Sequence, residues 1–321
     1  MKRGLRIATL FLATIALVFI AGCNGETPEQ PSGQAFIGGT EALVFEFQNG
    51  APPDEVLDSD TESFDVEVRV ANNGEADVLG SDAFLKIRGI DPTEFGKLDS
   101  ELRGTWSGPL SGEFLDSSGL VQEGGEEFVT FSDFSFKESI TGSLQQKTFR
   151  LDACYLYKTQ AITELCVLSN PTNPPDDAIC EISGDKRVQN SAGPVQIASV
   201  RQSTSGANAV RLNFEVQHVD TSNNGKPFGT YNVDCEDDRE GREITVRIDT
   251  GVNGLECTRG EWVNQGTVSE GKVYLDQGES RDFYCTQTLP QGQDFVKAVN
   301  VDLEYRYFET IEKSVNVIAA R

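Results

Sequence analysis

The chain has 321 residues, of which 38% are hydrophobic and 24% charged, so it can form real hydrophobic cores and is not a disordered tail. Acidic residues outnumber basic ones by 51 to 27, giving a formal net charge of −24. A surface of that sign repels nucleic-acid phosphates, which argues against DNA or RNA binding, and the length allows two domains of ordinary size.

The N-terminus has the layout of a secretory signal peptide: basic, then apolar, then small residues. The mostly apolar run from Ile7 to Ile20 is shorter than the roughly 20 residues that a helix needs to cross a hydrocarbon core. It ends in Ile20-Ala21-Gly22-Cys23, which resembles the lipobox of prokaryotic lipoproteins. In such proteins the cysteine thiol receives a diacylglycerol and becomes the new first residue.

The lipobox resemblance implies that residues 1–22 are a removed signal peptide and that Cys23 is lipidated. Two acyl chains hold a protein on a membrane where one chain is marginal. Residues 23–35 then form the lipidated cysteine and a flexible tether without apolar periodicity. An uncleaved short anchor and plain secretion are the alternatives.

Six cysteines remain once Cys23 is set aside, and an even number in an exported protein predicts three disulfides. They are Cys154, Cys166, Cys180, Cys235, Cys257 and Cys285. No two of them have a CxxC spacing, and the chain has one histidine, so we expect no zinc site and no cofactor.

From Phe36 onward the sequence predicts β-strands. Thr40–Phe47 is a candidate edge strand, and Phe64–Val70 alternates apolar and charged residues until the turn at Asn72-Asn73-Gly74. The alternation between Phe128 and Phe136 slips once, which predicts a bulge near Ser132-Asp133.

A long segment, residues 91–125, is rich in Gly, Ser and Asp around Trp106. Long loops on a β scaffold often carry binding function, so Trp106 marks a candidate binding loop, with an ordinary packed loop as the alternative.

The pattern starts afresh after residues 169–187, which contain three prolines and several acids and are predicted to be a linker. Val195–Val200 and Val210–Val216 are strands, and Asn223-Asn224-Gly225 repeats the turn chemistry of the first half. No sustained helical period is present, so the predicted fold is all-β.

A duplication is visible when Leu151–Val167 is placed over Val301–Val317, an offset of 150 residues. Four positions are identical: Asp152 with Asp302, Tyr155 with Tyr305, Tyr157 with Tyr307 and Val167 with Val317. We therefore expect two tandem Ig-like antiparallel β-sandwiches, residues 36–168 and 188–321.

The same alignment suggests disulfide partners. Cys154 and Cys166 correspond to polar residues of the second copy, so we expect them to face solvent on either side of a hairpin turn near Gln160. Opposite residues of a hairpin lie within disulfide reach, which predicts Cys154–Cys166. Cys257–Cys285 and Cys180–Cys235 are the predicted partners for the rest, although six cysteines permit fifteen pairings.

The stretch Val68-Arg69-Val70-Ala71-Asn72-Asn73-Gly74, followed by Ala76-Asp77-Val78, resembles the Ig-like CARDB-type modules of archaeal and bacterial cell surfaces. The resemblance covers some fifteen residues of each half, and His218-Val219-Asp220 with Asn223-Asn224-Gly225 matches less well. It implies a β-sandwich with an adhesion or scaffolding role, and together with the acidic composition it favours an archaeal source.

No set of residues points to catalysis. His218 continues the apolar phase of its strand and is expected to be structural, and no Gly-x-Ser-x-Gly elbow is present to join it. Two acidic groups, around Asp58 and around Asp237, are expected to be solvated loops rather than metal sites. With 51 acids, a hydrolase using paired carboxylates is a third-ranked alternative.

We therefore expect a non-catalytic, lipid-anchored module on the extracytoplasmic face of the cell membrane. Its expected partners are the membrane, through the diacylglyceryl anchor, and a surface protein or glycan, with no nucleic acid. The main alternative is a lipoprotein that captures a solute or glycan for a transporter or surface enzyme, which requires a concave pocket with aromatic walls.

Overall fold

The computed structural model describes residues 34–220, 225–230, 235, 242–276 and 279–320. The predicted signal peptide, Cys23, most of the tether and every acid of the group around Asp237 lie outside the described residues. Within them all regular structure is β-strand apart from three short 3-10 helices, at Gly80–Asp82, Pro92–Phe95 and Asp99–Leu102. The predicted all-β class is confirmed.

The described residues contain 22 strands, eleven before and eleven after residue 168. The first eleven are β1 (Leu43–Phe47), β2 (Glu55–Leu57), β3 (Phe64–Asn72), β4 (Val78–Leu79), β5 (Ala83–Arg88), β6 (Arg103–Gly104), β7 (Pro109–Leu110), β8 (Phe114–Leu115), β9 (Val121–Gln122), β10 (Glu126–Phe134) and β11 (Leu144–Val167). The others are β12 (Gly184–Lys186), β13 (Gln189–Asn190), β14 (Val195–Thr204), β15 (Ala209–His218), β16 (Lys226–Phe228), β17 (Glu243–Asp249), β18 (Leu255–Thr258), β19 (Trp262–Gln265), β20 (Val268–Tyr274), β21 (Ser280–Thr288) and β22 (Phe295–Ile318).

Three larger sheets surround one hydrophobic core. A three-stranded sheet has the order β1-β3-β10, and a five-stranded sheet has the order β12-β14-β15-β21-β18. A ten-stranded sheet runs β19-β20-β17-β22-β11-β5-β6, with β2, β13 and β16 attached at its sides. Alternation explains the packing: Val66, Val68 and Val70 of β3 are fully buried, while the charged residues between them face outward.

The centre of the large sheet is a pair of 24-residue strands, β11 and β22. They pair antiparallel along their whole length, from Leu144 opposite Ile318 to Val167 opposite Phe295. The predicted turn near Gln160 is therefore wrong, because β11 continues straight through that residue. The polar Thr159 beside it is fully buried, with its hydroxyl hydrogen-bonded to Tyr305.

The two halves of the chain share this sheet. Residues from Gln34 onward form a single compact unit. The predicted linker divides the sequence but not the fold, since β11 of the first half and β22 of the second half are neighbouring strands. Within the linker, Cys180 is bonded to Cys166 and β12 pairs with β14.

Each half nevertheless repeats one pairing pattern. In the first, Leu43 of β1 lies opposite Asn72 of β3; in the second, Val195 of β14 lies opposite His218 of β15. β10 pairs with β3 as β21 pairs with β15, and β5 pairs with β11 as β17 pairs with β22. The predicted bulge in β10 is confirmed by a register shift between Phe131 and Phe134, with Asp133 at φ 62°.

The disulfides differ from two of the three predicted pairs. The structure joins Cys154 to Cys235 and Cys166 to Cys180, while Cys257–Cys285 is as predicted. Cys154 and Cys166 lie twelve residues apart on one extended strand, roughly 40 Å at the usual rise, and cannot meet. Both are buried rather than facing solvent.

Candidate functional site

Four tyrosines occupy the middle of the β11–β22 pair, where the two halves join. Tyr155 lies opposite Tyr307 and Tyr157 opposite Tyr305, and alternation places all four rings on one face of the sheet. Neighbouring ring centroids are 6.1 to 6.3 Å apart, and every ring is buried. This tyrosine cluster is closed to ligands, so its role is to hold the halves together.

Two of the hydroxyl groups repeat one contact. The Tyr155 hydroxyl accepts a hydrogen bond from the backbone amide of Leu43, at 3.3 Å, and the Tyr305 hydroxyl accepts one from Val195, also at 3.3 Å. Leu43 and Val195 are the corresponding residues of the two small sheets. Each tyrosine therefore ties the large sheet to the small sheet of its own half.

The other two hydroxyl groups explain the glycines of the two Asn-Asn-Gly sequences, of which Asn223 and Asn224 lie outside the described residues. A Cβ atom at Gly74 would lie 1.9 Å from the Tyr157 hydroxyl oxygen, and one at Gly225 would lie 2.0 Å from that of Tyr307. Neither glycine has a backbone conformation that demands glycine, so close approach is the reason for both.

Glu309 is the ionisable member of the cluster. It is 5% exposed, and its Oε1 atom accepts a hydrogen bond from the Tyr155 hydroxyl at 2.5 Å. Burial raises the pKa of Glu309 to about 8, with a further increase from the charges of Asp220 and Glu41, and the hydrogen bond from Tyr155 opposes the shift. The contact between the two halves therefore contains a buried carboxyl group whose pKa is close to neutral pH.

His218 belongs to the same neighbourhood. It ends β15, and its Nε2 atom lies 2.9 Å from the Tyr307 hydroxyl, which also donates to Asp220 at 3.3 Å. Burial raises the pKa of Tyr307 well above its ordinary value. The sequence-based interpretation of His218 as a strand-end residue agrees with this position.

An open cleft in the second half is the better candidate for ligand binding. It has a volume of about 580 Å³ and lies between the turn from β18 to β19, the end of β20 and the start of β21. Val273 and Phe283, which are nearly fully buried, form its apolar floor. The exposed ring of Tyr274 forms part of its wall.

Three cations line the cleft, and two of them are neutralised. Arg281 makes two contacts with Asp276, at 2.6 and 2.7 Å, and the Lys272 ammonium lies 2.8 Å from the buried carboxylate of Glu243. Glu243 also accepts a hydrogen bond from the Tyr274 hydroxyl at 2.7 Å, which raises the pKa of Tyr274.

Arg259 is the third cation. Over the described ranges, no carboxylate lies within ion-pair distance of it. Its guanidinium carbon lies 5.5 Å from the ring centroid of Tyr284, and that of Arg211 lies 4.6 Å from the same centroid. A hydrogen bond with Thr258 and the two guanidinium charges lower the pKa of Tyr284. Glu261, Asp276 and Asp282 also line the cleft, so its lining holds three acids beside the three cations.

Trp106 does not form the predicted binding surface. Its indole is 6% exposed and belongs to the hydrophobic core, where its backbone approaches Gly80 so closely that a Cβ atom there would lie 1.9 Å from the Trp106 oxygen. A buried ring cannot contact a partner. Composition identified an aromatic residue in a long loop but could not show which way the ring faces.

The acidic group around Asp58 is structural. Asp58 is 3% exposed and accepts hydrogen bonds from the backbone amides of Ile140 and Ala320, which lower its pKa and attach the end of the chain to β2. The described part of the chain contains no group of three or more His, Cys, Asp or Glu side chains arranged to hold a metal ion. Nor does it contain a helix with the length and apolar character needed to cross a membrane.

These features define a disulfide-bonded all-β protein with a tyrosine-filled join and a cleft in its second half. No family model and no curated protein matches the chain. Among solved structures, the envelope protein VP37 of White Spot Syndrome Virus is similar at a TM-score of 0.25 and 9% identity, covering 47% of this chain and 97% of that one.

Two further structures show similarity of the same order. The secreted serine protease VesC of Vibrio cholerae has a TM-score of 0.19 at 10% identity, covering 82% of this chain and 50% of that one. The partial N-terminal region of the enterococcal surface protein has a TM-score of 0.17 at 8% identity, covering 87% and 85%. Scores this low carry no argument about function.

Proposed function

We propose that this protein is a lipid-anchored, non-catalytic module on the extracytoplasmic face of a cell membrane, with a structural or binding role. One observation carries the proposal: all six cysteines after Cys23 are joined in three disulfides. Cys23 is then the one cysteine of the sequence that these disulfides leave available for lipidation.

Disulfides support an extracytoplasmic location because thiols are kept reduced in most cytosols. The three bridges close 14, 28 and 81 residues of sequence, and Cys154–Cys235 links the two halves. In the chain-entropy model such bridges contribute roughly 3 to 4.5 kcal/mol each. A module exposed at a cell surface benefits from this resistance to unfolding.

Ligand capture is the second candidate function, and the cleft beside β20 and β21 favours it. A concave site with an apolar floor, an aromatic wall and a few polar groups is the usual form of a ligand site. An anchored protein with such a cleft would hold a solute or glycan at the membrane for a transporter or surface enzyme.

The anchor is tested by measuring the intact mass of protein purified from membranes of a host that lipidates prokaryotic lipoproteins. The expected mass begins at Cys23, includes a diacylglyceryl group and increases by two hydrogen atoms per disulfide on reduction. A mass that begins at Met1, or free thiols before reduction, would contradict the proposal.

The matched control is Cys23→Ser. We expect this variant to leave the membrane fraction while keeping all three disulfides and the thermal unfolding midpoint of the anchored protein. Retention of the variant in the membrane would show that something other than the lipid holds the protein there.

A further inference from the structure

The hairpin formed by β8 and β9 exposes large apolar side chains in the first half of the chain. Within the described residues it is a sheet of its own, separate from the three larger sheets. Phe114, Leu120 and Val121 are 55%, 64% and 50% exposed. A lone two-stranded hairpin is marginally stable in water, and clustered exposed apolar side chains mark a surface for a partner or a membrane.

The apolar side chains occupy both faces of the hairpin. Phe114 lies opposite Gln122, and Leu115 lies opposite Val121, so alternation places Phe114 on one face and the Leu115–Val121 pair on the other. Leu120, the most exposed of them, stands at the tip. A protein that docks on a sheet covers one face, whereas a lipid layer surrounds an inserted tip on every side. The distribution therefore favours lipid.

Hydrogen bonds within the tip satisfy backbone groups that insertion removes from water. The amides of Ser118 and Leu120 donate to Oδ1 of Asp116, at 2.8 and 3.0 Å, and the Asp116 amide donates to the Leu120 carbonyl at 2.9 Å. Unpaired backbone groups are what excludes most loops from apolar layers. The hydrogen bond from the Ser118 hydroxyl contributes most to lowering the pKa of Asp116, so its carboxylate stays ionised and limits insertion to the headgroup region.

The base of the hairpin lies beside the first residues that the structure describes. The Glu113 amide donates to the Gly74 carbonyl at 2.7 Å. The next residue, Glu75, accepts hydrogen bonds from the backbone amides of Ile37 and Gly38, both at 2.9 Å. The hairpin base and the start of the described chain therefore contact the same short segment.

This position puts the hairpin within reach of the membrane, an argument that rests on the proposed lipid anchor at Cys23. Gln34 stands eleven positions after Cys23 in the sequence. Eleven residues span at most about 40 Å when fully extended, and about 20 Å as a coil. An anchored chain therefore holds this end of the described fold close to the lipid surface.

We propose that the β8–β9 hairpin inserts its tip into the headgroup layer of the membrane and so fixes the orientation of the anchored protein. The lipid on Cys23 supplies most of the attachment. Because the anchor keeps the local concentration of lipid high, a weak contact by a few apolar side chains is sufficient.

Acidic residues around the hairpin base select the kind of lipid. Burial raises the pKa of Glu113, and three nearby carboxylates raise it further: Glu75, Glu123 and Glu41. Negative charges gathered at the base are repelled by anionic headgroups. The hairpin therefore inserts more readily into zwitterionic lipid than into anionic lipid.

The test is tryptophan quenching by brominated phosphatidylcholine, with the lipidated full chain reconstituted into vesicles. Leu120→Trp reports on the tip, and Leu144→Trp is the matched control, since Leu144 is 53% exposed. Leu144 begins β11, thirteen residues before Tyr157, which is roughly 40 Å at the usual rise. The Tyr157 hydroxyl lies 3.4 Å from the Ala76 amide nitrogen, close to the hairpin base.

We expect the fluorescence that Leu120→Trp adds to the wild type to fall by about half, because a tip at the boundary of headgroups and acyl chains contacts the bromine atoms. The fluorescence that Leu144→Trp adds should be unchanged. Adding Phe114→Ser and Val121→Ser to Leu120→Trp should abolish most of the quenching. Circular dichroism of each variant establishes that it is folded.

Other results would overturn the inference in distinct ways. Unquenched Leu120→Trp, in a sample whose intact mass includes the diacylglyceryl group, would reject insertion and keep the anchor, whereas a chain without that group would reject both. Equal quenching at Leu144 would mean that the protein lies on the lipid without using the hairpin. Stronger quenching when anionic lipid is mixed in would replace apolar insertion with attraction by charge. Unquenched Leu120→Trp together with a dimer in analytical ultracentrifugation would assign the hairpin to a second copy of the chain.

Discussion

The two halves of the molecule attach their small sheets to the large sheet through contacts of different chemistry. In each, a buried tyrosine of a long strand accepts a hydrogen bond from the small sheet, Tyr155 from Leu43 and Tyr305 from Val195. The second partner differs: Tyr305 contacts the hydroxyl of Thr159, whereas Tyr155 contacts the carboxyl of Glu309. Thr159 and Glu309 occupy equivalent positions of β11 and β22, at the same offset of 150 residues as the tyrosines.

This difference shows that a repeated framework does not imply repeated electrostatics. A buried hydroxyl has no charge to lose, so the Tyr305 contact is independent of pH. A buried carboxyl must either hold a proton or bear an uncompensated charge, so the Tyr155 contact depends on pH. The contact between the two halves is therefore nearly symmetric in geometry, but one of its two tyrosine contacts depends on pH and the other does not.

The largest expected effect comes from removing the disulfide that links the two halves. Replacing Cys154 and Cys235 together by alanine should lower the free energy of unfolding by about 4.5 kcal/mol, because that bridge spans 81 residues of sequence. The same change at Cys257 and Cys285, which spans 28, should cost about 3.5 kcal/mol. Denaturant unfolding measures both, and a smaller loss for the first pair would contradict the chain-entropy argument.

A second experiment breaks the equivalent turn contacts. Gly74→Ala should destabilise the protein by about 3 kcal/mol, since the new Cβ atom would lie 1.9 Å from the Tyr157 hydroxyl oxygen. In the double variant with Tyr157→Phe the cost should fall, because the nearest atom is gone. Unchanged cost in the double variant, measured by the same unfolding experiment, would locate the strain elsewhere.

The pH dependence of the join tests Glu309 directly. Its folded-state pKa of about 8 exceeds the ordinary value of 4.5, so between these values the folded state holds a proton that the unfolded state has released. Stability should therefore fall as pH rises from about 5 through about 8. Relative to Glu309→Gln, the wild type should lose about 2 kcal/mol or more over this window.

Thermal and urea unfolding at a series of pH values provide the measurement for this prediction. Glu309→Thr, which copies the residue of the other half, is the matched control and should also flatten the profile. Parallel profiles for the wild type and both variants would mean that Glu309 does not titrate in this range.

The smallest expected effect lies at the neutral contact. Thr159→Val keeps the shape of the side chain but removes the hydroxyl that faces Tyr305, and should cost about 1 kcal/mol at every pH. A pH-dependent loss would show that the two contacts are more alike than their side chains suggest.

Local sequence patterns predicted much of the fold. The alternation of Phe64–Val70 and Val210–Val216 identified the central strands of the two small sheets, and the phase slip near Ser132-Asp133 identified the bulge. Equivalence of Tyr155 and Tyr305 was also visible as a repeat. These features could be predicted because each depends on residues close together in the chain.

The errors concern partners that are distant in sequence. The turn predicted near Gln160 was wrong because the burial of Thr159 beside it depends on Tyr305, which lies 146 residues away. The wrong turn then produced the wrong partner for Cys154. The burial of Trp106 was missed for the same reason, since the ring is buried in a core that residues from the whole described chain build.

The cleft was also invisible in the sequence. Arg259, Lys272 and Phe283 come from three separate strands or turns, and nothing in their spacing marks them as neighbours.

By itself, the sequence determined the strand class, the repeat and the number of disulfides, because side-chain alternation and cysteine count are local or compositional properties. Tertiary structure alone decided that two 24-residue strands fuse the halves into one sheet, which cysteines meet, and that one repeat buries a carboxyl where the other buries a hydroxyl. The physical reason is that strand pairing is made by backbone groups common to every residue, so the choice of partner depends on what the whole chain can bury.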